Sequence, residues 1–185
     1  PDNLVDRVAS LLASGRVVAW FQGASEFGPR ALGNRSILAD PRLHAMRSRL
    51  NLHVKRREWF RPYGPAVLAD DAQTYFAIDA PSAWMQFTWP VHDHQRRLIP
   101  AVTHVDGSAR VQVVDTRSNP EFASLLASFR EVTGCGVLLN TSYNVLGRPI
   151  VETPTDAIRT FIDADLDALA IGPYLAVKPG ASSRD

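Results

Sequence analysis

The sequence predicts an α/β domain with one mixed β-sheet flanked by helices. Segments with helical periodicity and good end signals alternate with short apolar runs along the whole chain, which is the pattern of α/β domains. The 185 residues, 45% of them hydrophobic, are enough for one core. No internal repeat or low-complexity linker divides them, so residues 1–178 are expected to form one domain and residues 179–185 a frayed tail.

The first elements are a helix, a strand and a constrained loop. Asn3 can cap an amphipathic helix that stops at Gly15, and the apolar run 17–21 predicts a strand. Residues 22–34, QGASEFGPRALGN, hold three glycines and a proline, which predicts a loop with fixed bends. A second amphipathic helix is predicted at 41–52. Its apolar face would consist of Leu43, Met46 and Leu50.

Prolines interrupt residues 62–100, where only a short helix near 71–77 is predicted. Beyond them, the dipeptide Asp106-Gly107 is a hairpin signal between two apolar runs, which predicts strands at 101–105 and 110–114.

The last third of the chain contains two helices whose starts are marked by an N-cap residue followed by proline. One begins at Asn119-Pro120 and ends at Gly134, and the other begins at Thr153-Pro154. The inward face of the second helix would consist of Ile158, Phe161 and Ile162. Strands are predicted at 137–140, 166–171 and 174–177.

Charge is distributed unevenly along the chain. The formal net charge is only +1, but nine of the 20 basic residues lie between Arg30 and Arg61, where the acids are Asp40 and Glu58. Eighteen of the 20 are arginine, which suits bidentate binding of phosphate or carboxylate, although biased coding would give the same count. The pattern indicates a local positive surface and not a basic protein.

Cys135 is the single cysteine, which excludes an internal disulfide and a cysteine-based zinc site. No run approaches the roughly 20 apolar residues that span a bilayer, and a signal peptide is not apparent. We therefore expect a cytoplasmic protein with no membrane contact. Because the chain starts at Pro1 without an initiator methionine, we expect it to be a piece of a longer one.

Two segments combine bends or aromatics with basic side chains. In the loop, the Gly-Pro bend would fix Arg30, with Glu26 as an orienting partner for Arg30 or Arg35; the alternative is a turn with a surface arginine. In the basic segment, Lys55–Pro62, a lysine and three arginines surround two aromatics and can bind phosphates. Basic triplets are usually solvated surface, and this composition can also follow a nucleic-acid backbone.

Two further segments carry polar side chains at strand ends. Arg110 would begin the second strand of the hairpin, and the pair His104 and Asp106 permits a metal or acid-base role, although a structural or substrate-contacting histidine is favoured. Residues 140–144, NTSYN, follow an apolar strand with short donors suited to phosphate or carbonyl oxygens. Ser142 is not expected to be a nucleophile, because no G-x-S-x-G elbow surrounds it.

Taken in order, these segments resemble the C-terminal domain of O-carbamoyltransferases of the nodulation and antibiotic-tailoring type. The resemblance covers about Gly15 to Lys178 and rests on the motifs EFGPRALGNRSIL, NLHVKRREWFRP, PAV, THVDGSARVQ, LLNTSYN, GRPIVETPTDAI and LDALAIG. It implies a YrdC-like twisted mixed sheet flanked by helices.

The resemblance also implies a function. Such a domain would make carbamoyl adenylate from carbamoyl phosphate and ATP. An N-terminal domain of the actin and Hsp70-like type, which carries iron in the family and is absent from this chain, would transfer the carbamoyl group to a hydroxyl of a small-molecule acceptor, an antibiotic or a sugar. Mg²⁺ would arrive with ATP, so no metal site is expected in the chain itself.

Carried over by motif position, the implied site for carbamoyl phosphate and ATP consists of Arg30, Lys55, Arg57, Arg61, Arg110, Asn140, Ser142 and Asn144. The residues given a catalytic part are Lys55, Arg61, Arg110 and Ser142. The K-x-R pair at 55–57 and the S-x-N pair at 142–144 also resemble those of YrdC-type proteins that build threonylcarbamoyl adenylate for tRNA modification. That activity and a non-catalytic nucleotide- or nucleic-acid-binding module are the alternatives; the favoured function involves no nucleic acid.

Overall fold

The structure, a computed structural model, describes residues 3–80 and 82–179. Its main feature is a seven-stranded mixed sheet with strand order β6-β3-β7-β2-β1-β8-β9, beside a two-stranded sheet of β4 and β5. The strands are β1 (Val18–Phe21), β2 (Arg35–Ala39), β3 (Gly64–Leu68), β4 (Trp89–Pro90), β5 (Ser108–Ala109), β6 (Gln112–Val114), β7 (Val137–Ser142), β8 (Ala168–Ile171) and β9 (Tyr174–Val177). The pairs β3/β6 and β1/β8 are parallel, and the other neighbours are antiparallel.

Three of the five α-helices in the described residues begin at a side-chain cap. The five are α1 (Leu4–Ala13), α2 (Met46–Arg49), α3 (Ala72–Tyr75), α4 (Pro120–Thr133) and α5 (Pro154–Asp163). The side chains of Asn3, Asn119 and Thr153 accept hydrogen bonds from the first turns of α1, α4 and α5, and Gly134 ends α4 with a left-handed φ of 73°. The predicted starts of these three helices are therefore confirmed.

The core lies around the central strands, whose residues are buried on both faces of the sheet. Every residue of β1, β2 and β3 is buried. The sequence prediction missed β2 and β3 because they lack the continuous apolar run of β1: β2 begins with the polar pair Arg35-Ser36, and β3 begins with Gly64-Pro65, which signals a turn. Helix α4 lies very close to the loop before β2, since a Cβ at Gly33 would fall 2.2 Å from the ring of Phe122.

The predicted helix at 41–52 starts too early. The Asp40 carboxylate accepts from the backbone N–H of Arg42 at 2.9 Å and from its guanidinium, which holds this part of the chain in a turn. Helix α2 therefore begins only at Met46 and continues as a π-helical segment, Leu50–Val54. Met46 and Leu50 are buried as predicted, whereas Leu43 is 42% exposed.

The predicted hairpin at 101–105 and 110–114 is wrong. Residues 101–105 form turns, and the backbone N–H of Ala101 donates to the carbonyl oxygen of Pro41 instead of to a neighbouring strand. The tight turn at Asp106-Gly107 does form, but β5 after it pairs with β4, and β6 pairs in parallel with β3. Apolar composition thus predicted β6 in part, but neither the turns at 101–105 nor the parallel partner of β6.

Three smaller corrections concern the last third of the chain. In α5, Phe161 is buried as expected, but Ile158 and Ile162 are 47% and 66% exposed. Strand β7 runs two residues further than predicted, to Ser142, and β8 begins at Ala168 instead of 166. The expected frayed tail lies, apart from residue 179, outside the described residues. Within residues 3–80 and 82–179, no helix combines the length and apolar character needed to cross a bilayer.

Candidate anion-binding site

The glycine-rich loop, residues 22–34, is organised by a carboxylate inside it. Oε1 of Glu26 accepts hydrogen bonds from the backbone N–H groups of Leu32 at 2.6 Å, Asn34 at 2.8 Å and Arg35 at 3.2 Å. The expectation that Glu26 pairs with the side chain of Arg30 or Arg35 is therefore wrong. The acid fixes the loop backbone because three backbone N–H groups converge on it, and it forms no ion pair with Arg30.

Arg35 has a structural position under this loop. Its guanidinium lies 3.6 Å above the ring centroid of Phe21 and donates to the carbonyl oxygens of Gln22 at 2.8 Å and Gly23 at 3.1 Å. Burial lowers the pKa of Arg35, with the charges of Glu26 and then Glu152 opposing the shift. The loop thus wraps around one buried arginine and presents the other, Arg30, at the surface.

A small cavity of about 90 Å³, here called the inner cavity, lies between the loop, the start of β3 and the end of β7. It is lined by Pro29, Arg30, Ala31, Arg57, Pro62, Tyr63, Gly64, Met85, Arg110, Asn140, Thr141 and Ser142. Three of these residues are arginines and none is an acid. Such a lining attracts a small anion.

The polar atoms of the inner cavity are incompletely paired. Burial lowers the pKa of Arg110, and the positive charges of Arg30 and Arg57 lower it further, so both lie within electrostatic reach of Arg110. Nε of Arg110 and Oδ1 of Asn140 are buried and have no hydrogen-bond partner among the described residues. Buried polar atoms are rarely left unpaired in a folded protein, so these two atoms mark a place where a ligand can bind.

Beside the inner cavity lies a wider depression of about 540 Å³, the outer cleft. Its lining consists of Lys55, Arg56, Arg57, Glu58, Arg61, Ser142, Asn144, Val145, Leu146, Gly147 and Arg148. Arg57 and Ser142 border both spaces, so ligands in the two spaces would be direct neighbours.

Lys55 closes the floor of the outer cleft and joins it to the end of β7. Its Nζ donates to the backbone oxygen of Ser142 and to the backbone oxygen and Oδ1 of Asn144 at 3.0 and 2.8 Å, and Oγ of Ser142 lies 3.4 Å away. Lys55 is only 4% exposed. Burial lowers its pKa to about 7, and the charge of Arg57 contributes in the same direction. The K-x-R and S-x-N pairs therefore meet through this ammonium group.

Asn51 is a buried residue that the sequence analysis did not single out. Its Nδ2 donates to the carbonyl oxygens of Trp59 and Arg61, both at 2.9 Å. Its Oδ1 accepts from Nε of Arg57 at 2.8 Å and from the hydroxyl of Tyr63 at 2.7 Å. The amide of Asn51 thus fixes the conformation of the basic segment and orients the side chain of Arg57. The available signal was its place at the start of the motif NLHVKRREWFRP.

All eight implied site residues border one of the two spaces. The inner cavity holds Arg30, Arg57, Arg110, Asn140 and Ser142. The outer cleft holds Lys55, Arg57, Arg61, Ser142 and Asn144. Arg61 is half-exposed and forms an ion pair with Glu58 at 2.8 Å.

His104 and Asp106 do not lie on a strand and line neither space. Both interact with Ser108, whose Oγ is 3.3 Å from Nδ1 of His104 and donates to Oδ1 of Asp106 at 2.7 Å. Burial lowers the pKa of His104. Residues 3–80 and 82–179 contain no group of three or more His, Cys, Asp or Glu residues placed to hold a metal ion.

The mixed sheet with its flanking helices defines a class of α/β domain, and this fold recurs in solved structures. Full-length HypF, crystallised in a phosphate- and nucleotide-bound form, superposes with a TM-score of 0.64 at 13% identity over 90% of this chain and 24% of that chain. YciO of E. coli gives a TM-score of 0.62 at 15% identity over 97% of this chain and 82% of that one. The predicted YrdC-like fold is confirmed.

The chain belongs to the carbamoyltransferase C-terminus family, whose model matches residues 9–178. It is 46% identical over 187 residues to nodulation protein NolNO of Sinorhizobium fredii, covering all of this chain and 28% of that protein. It is 43% identical over 165 residues to the 3'-hydroxymethylcephem-O-carbamoyltransferase of Streptomyces clavuligerus, covering 89% and 31% respectively. The predicted family is confirmed, and the chain spans about a third of the length of such relatives.

Proposed function

We propose that this domain makes carbamoyl adenylate from carbamoyl phosphate and ATP, as the activating part of an O-carbamoyltransferase. The observation that carries the proposal is the convergence of Arg30, Arg57 and Arg110 on the inner cavity without any acid in its lining. Three guanidiniums that repel one another are stabilised by a bound anion, and they bind the oxygens of a phosphoryl group in fixed directions.

The sizes of the two spaces support two neighbouring ligands. The inner cavity, about 90 Å³, suits a small anion such as carbamoyl phosphate, whereas the outer cleft, about 540 Å³, suits the larger ATP. Arg57 and Ser142 border both, so both ligands would meet at these residues. Holding two anions side by side removes most of the entropic cost of their reaction, and the cations offset their repulsion.

The proposed reaction releases two anions. Water converts carbamoyl phosphate into carbamate and phosphate, and a carbamate oxygen then attacks the α-phosphorus of ATP and displaces pyrophosphate. Mg²⁺ would be held by the phosphate oxygens of ATP and by water. Lys55, Arg61, Arg110 and Ser142 would act by binding and charge stabilisation, so no covalent intermediate with the enzyme is needed.

The relatives support the second half of the proposal. The Streptomyces clavuligerus relative is an O-carbamoyltransferase by name, and about two thirds of its length lies outside the region matched by this chain. We infer that an additional N-terminal domain, which would carry iron, transfers the carbamoyl group to a hydroxyl of a small molecule, such as an antibiotic or a sugar. The complete protein would then act in antibiotic biosynthesis or a similar tailoring pathway in the cytoplasm.

Pyrophosphate release tests the proposal. The chain is incubated with ATP and Mg²⁺, and we expect release of pyrophosphate only when carbamoyl phosphate is added. The same assay with threonine and bicarbonate in place of carbamoyl phosphate tests for threonylcarbamoyl-adenylate synthesis. Folded protein that binds neither ATP nor carbamoyl phosphate, or that binds oligonucleotides with a steep salt dependence instead, would contradict the proposal.

A further inference from the structure

The inner cavity contains one feature that an anion alone does not explain. Oδ1 of Asn140 is a hydrogen-bond acceptor, it is buried, and it has no partner in residues 3–80 and 82–179. Asn140 itself is 1% exposed and lines the cavity together with Arg30 and Arg110. A site that binds only phosphate oxygens needs hydrogen-bond donors. An unpartnered acceptor beside those donors would repel the phosphate oxygens.

The orientation of the Asn140 amide is fixed by a chain of hydrogen bonds that begins in the glycine-rich loop. Nε2 of Gln112 donates to the carbonyl oxygen of Leu32 at 2.7 Å. Nδ2 of Asn140 donates to Oε1 of Gln112 at 2.8 Å and to the carbonyl oxygen of Ala31 at 3.3 Å. Gln112 is 4% exposed, so water does not compete for these groups.

The direction of this chain cannot be reversed. The backbone oxygens of Ala31 and Leu32 only accept hydrogen bonds, so the amide nitrogens must face them. Gln112 consequently presents its oxygen to Asn140, and both N–H groups of Asn140 are used. A flipped Asn140 would place its oxygen against two other oxygens. Oδ1 is thus the one polar atom of the Asn140 side chain that remains for a ligand.

We propose that Gln112 is a specificity-determining residue that keeps the Asn140 oxygen available to accept a hydrogen bond from the amino group of the carbamoyl substrate. This inference rests on the function proposed above. The amino group is the donor that distinguishes carbamoyl phosphate from acyl phosphates of the same shape. Gln112 acts through Asn140 and is therefore a positioning residue, while Asn140 contacts the ligand.

Acetyl phosphate is the matched probe, because a methyl group replaces the amino group. We expect the wild-type chain to bind carbamoyl phosphate at least about tenfold more tightly than acetyl phosphate, since the methyl group leaves the buried oxygen unpaired. Gln112→Met keeps the length of the side chain but removes the amide that orients Asn140. The affinity of this variant for carbamoyl phosphate should be about tenfold lower than that of the wild-type chain. Acetyl phosphate should change by less than about threefold, so the preference should largely disappear.

The ratio of the two dissociation constants on one variant is independent of how much of that protein is folded, so a merely structural role of Gln112 would not move it. If Gln112→Met does not fold, Asn140→Leu removes the acceptor directly and should also abolish the preference. A wild-type chain that binds both acyl phosphates equally, or a folded Gln112→Met that keeps the preference, would overturn this inference while leaving the proposed function standing. A wild-type chain that binds neither compound would instead overturn the proposed function.

Discussion

The inner cavity and the outer cleft are adjacent and both basic, but their charges are paired differently. In the inner cavity, Arg30 and Arg110 form no ion pair or side-chain hydrogen bond within the described part of the chain. In the outer cleft, Arg61 pairs with Glu58, and Arg148 pairs with Asp163 at 3.2 Å. The third cation of the small space, Arg57, donates to the neutral amide of Asn51 and forms no ion pair among the described residues. The charges of the small space are therefore not neutralised by acids, whereas those of the wide space partly are.

This difference indicates how each space would contribute to binding. Unneutralised guanidiniums in a small, partly buried cavity interact strongly with an anion because little water screens them. Exposed and paired cations contribute less, since a ligand must first replace an existing partner. We therefore expect the inner cavity to supply most of the affinity for a small anion and the outer cleft to position a larger ligand through many weaker contacts.

The largest effect is expected from Asn51→Ala, because Asn51 supports the segment that borders both spaces. The substitution leaves the carbonyl oxygens of Trp59 and Arg61 and the hydroxyl of Tyr63 without their partner. We expect a loss of about 3 kcal/mol in the free energy of unfolding by urea denaturation, and weaker binding of both carbamoyl phosphate and ATP. Tyr63→Phe, which removes one of these hydrogen bonds, should cost only about 1 kcal/mol. Equal losses for the two variants would show that Asn51 is not the centre of this network.

Arg110→Ala should affect only the inner cavity. Because the Arg110 side chain has no partner to lose and is repelled by Arg30 and Arg57, the thermal midpoint should stay unchanged or rise. Affinity for carbamoyl phosphate should fall about 100-fold, as expected for loss of a charge-assisted contact, while ATP affinity changes little. Calorimetric titration of both ligands measures this. The control is Arg117→Ala, whose side chain is 90% exposed and lies outside both spaces. A parallel loss of stability and binding would make Arg110 a structural residue.

Lys55 offers a test by pH in the outer cleft. With a pKa of about 7, its ammonium is present below that pH and attracts phosphate, so ATP affinity should fall about tenfold between about pH 6 and about pH 8. The stability of the free protein should change with the opposite sign. Between 7 and the ordinary value of 10.5 the unfolded chain binds a proton that the folded chain does not, so the unfolding free energy rises with pH. Lys55→Met should show neither this pH dependence of ATP affinity nor this pH dependence of stability. Any change in ATP affinity that remains in Lys55→Met comes from the titration of ATP itself. A wild-type profile identical to that of Lys55→Met would contradict this prediction.

The smallest effect is expected from Arg61→Ala. Its guanidinium is half-exposed and already paired with Glu58, so the loss of stability should stay below about 1 kcal/mol. ATP affinity should fall only about threefold at low salt and by less at high salt, because an exposed charge is screened. Titration of ATP at two salt concentrations measures both values. A loss as large as that of Arg110→Ala would remove the distinction between the two spaces.

The features predicted from the sequence are those specified locally. Asn3, Asn119 and Thr153 cap helices within a few residues of their own positions, so the starts of α1, α4 and α5 were predictable. Strands β2 and β3 were not, because they begin with polar residues or with Gly-Pro instead of an apolar run, and only their burial in the folded sheet shows them to be central strands. The same limit applies to the 101–105 segment, whose backbone partner, Pro41, lies far away in the chain.

The candidate site shows the same division. The charged residues stood out by clustering and by their motifs, and the structure brings them to two adjacent spaces. Asn51 and Gln112 did not stand out, since a buried amide has no distinctive sequence pattern. Gln112 acquires its role from Leu32, 80 residues away, and from Asn140, 28 residues away. Their importance depends on hydrogen-bond direction, which only the folded chain provides.

The carboxylate of Glu26 has a consequence for how this domain meets phosphate. Converging backbone N–H groups in a glycine-rich loop usually form a nest that captures an external anion. Here Glu26 occupies that nest, because its Oε1 takes the N–H groups of Leu32, Asn34 and Arg35. The N–H groups of this loop already bind the carboxylate of Glu26, so a phosphate ligand must be bound by long side chains instead. Binding through such side chains can change by single substitutions without rebuilding the backbone.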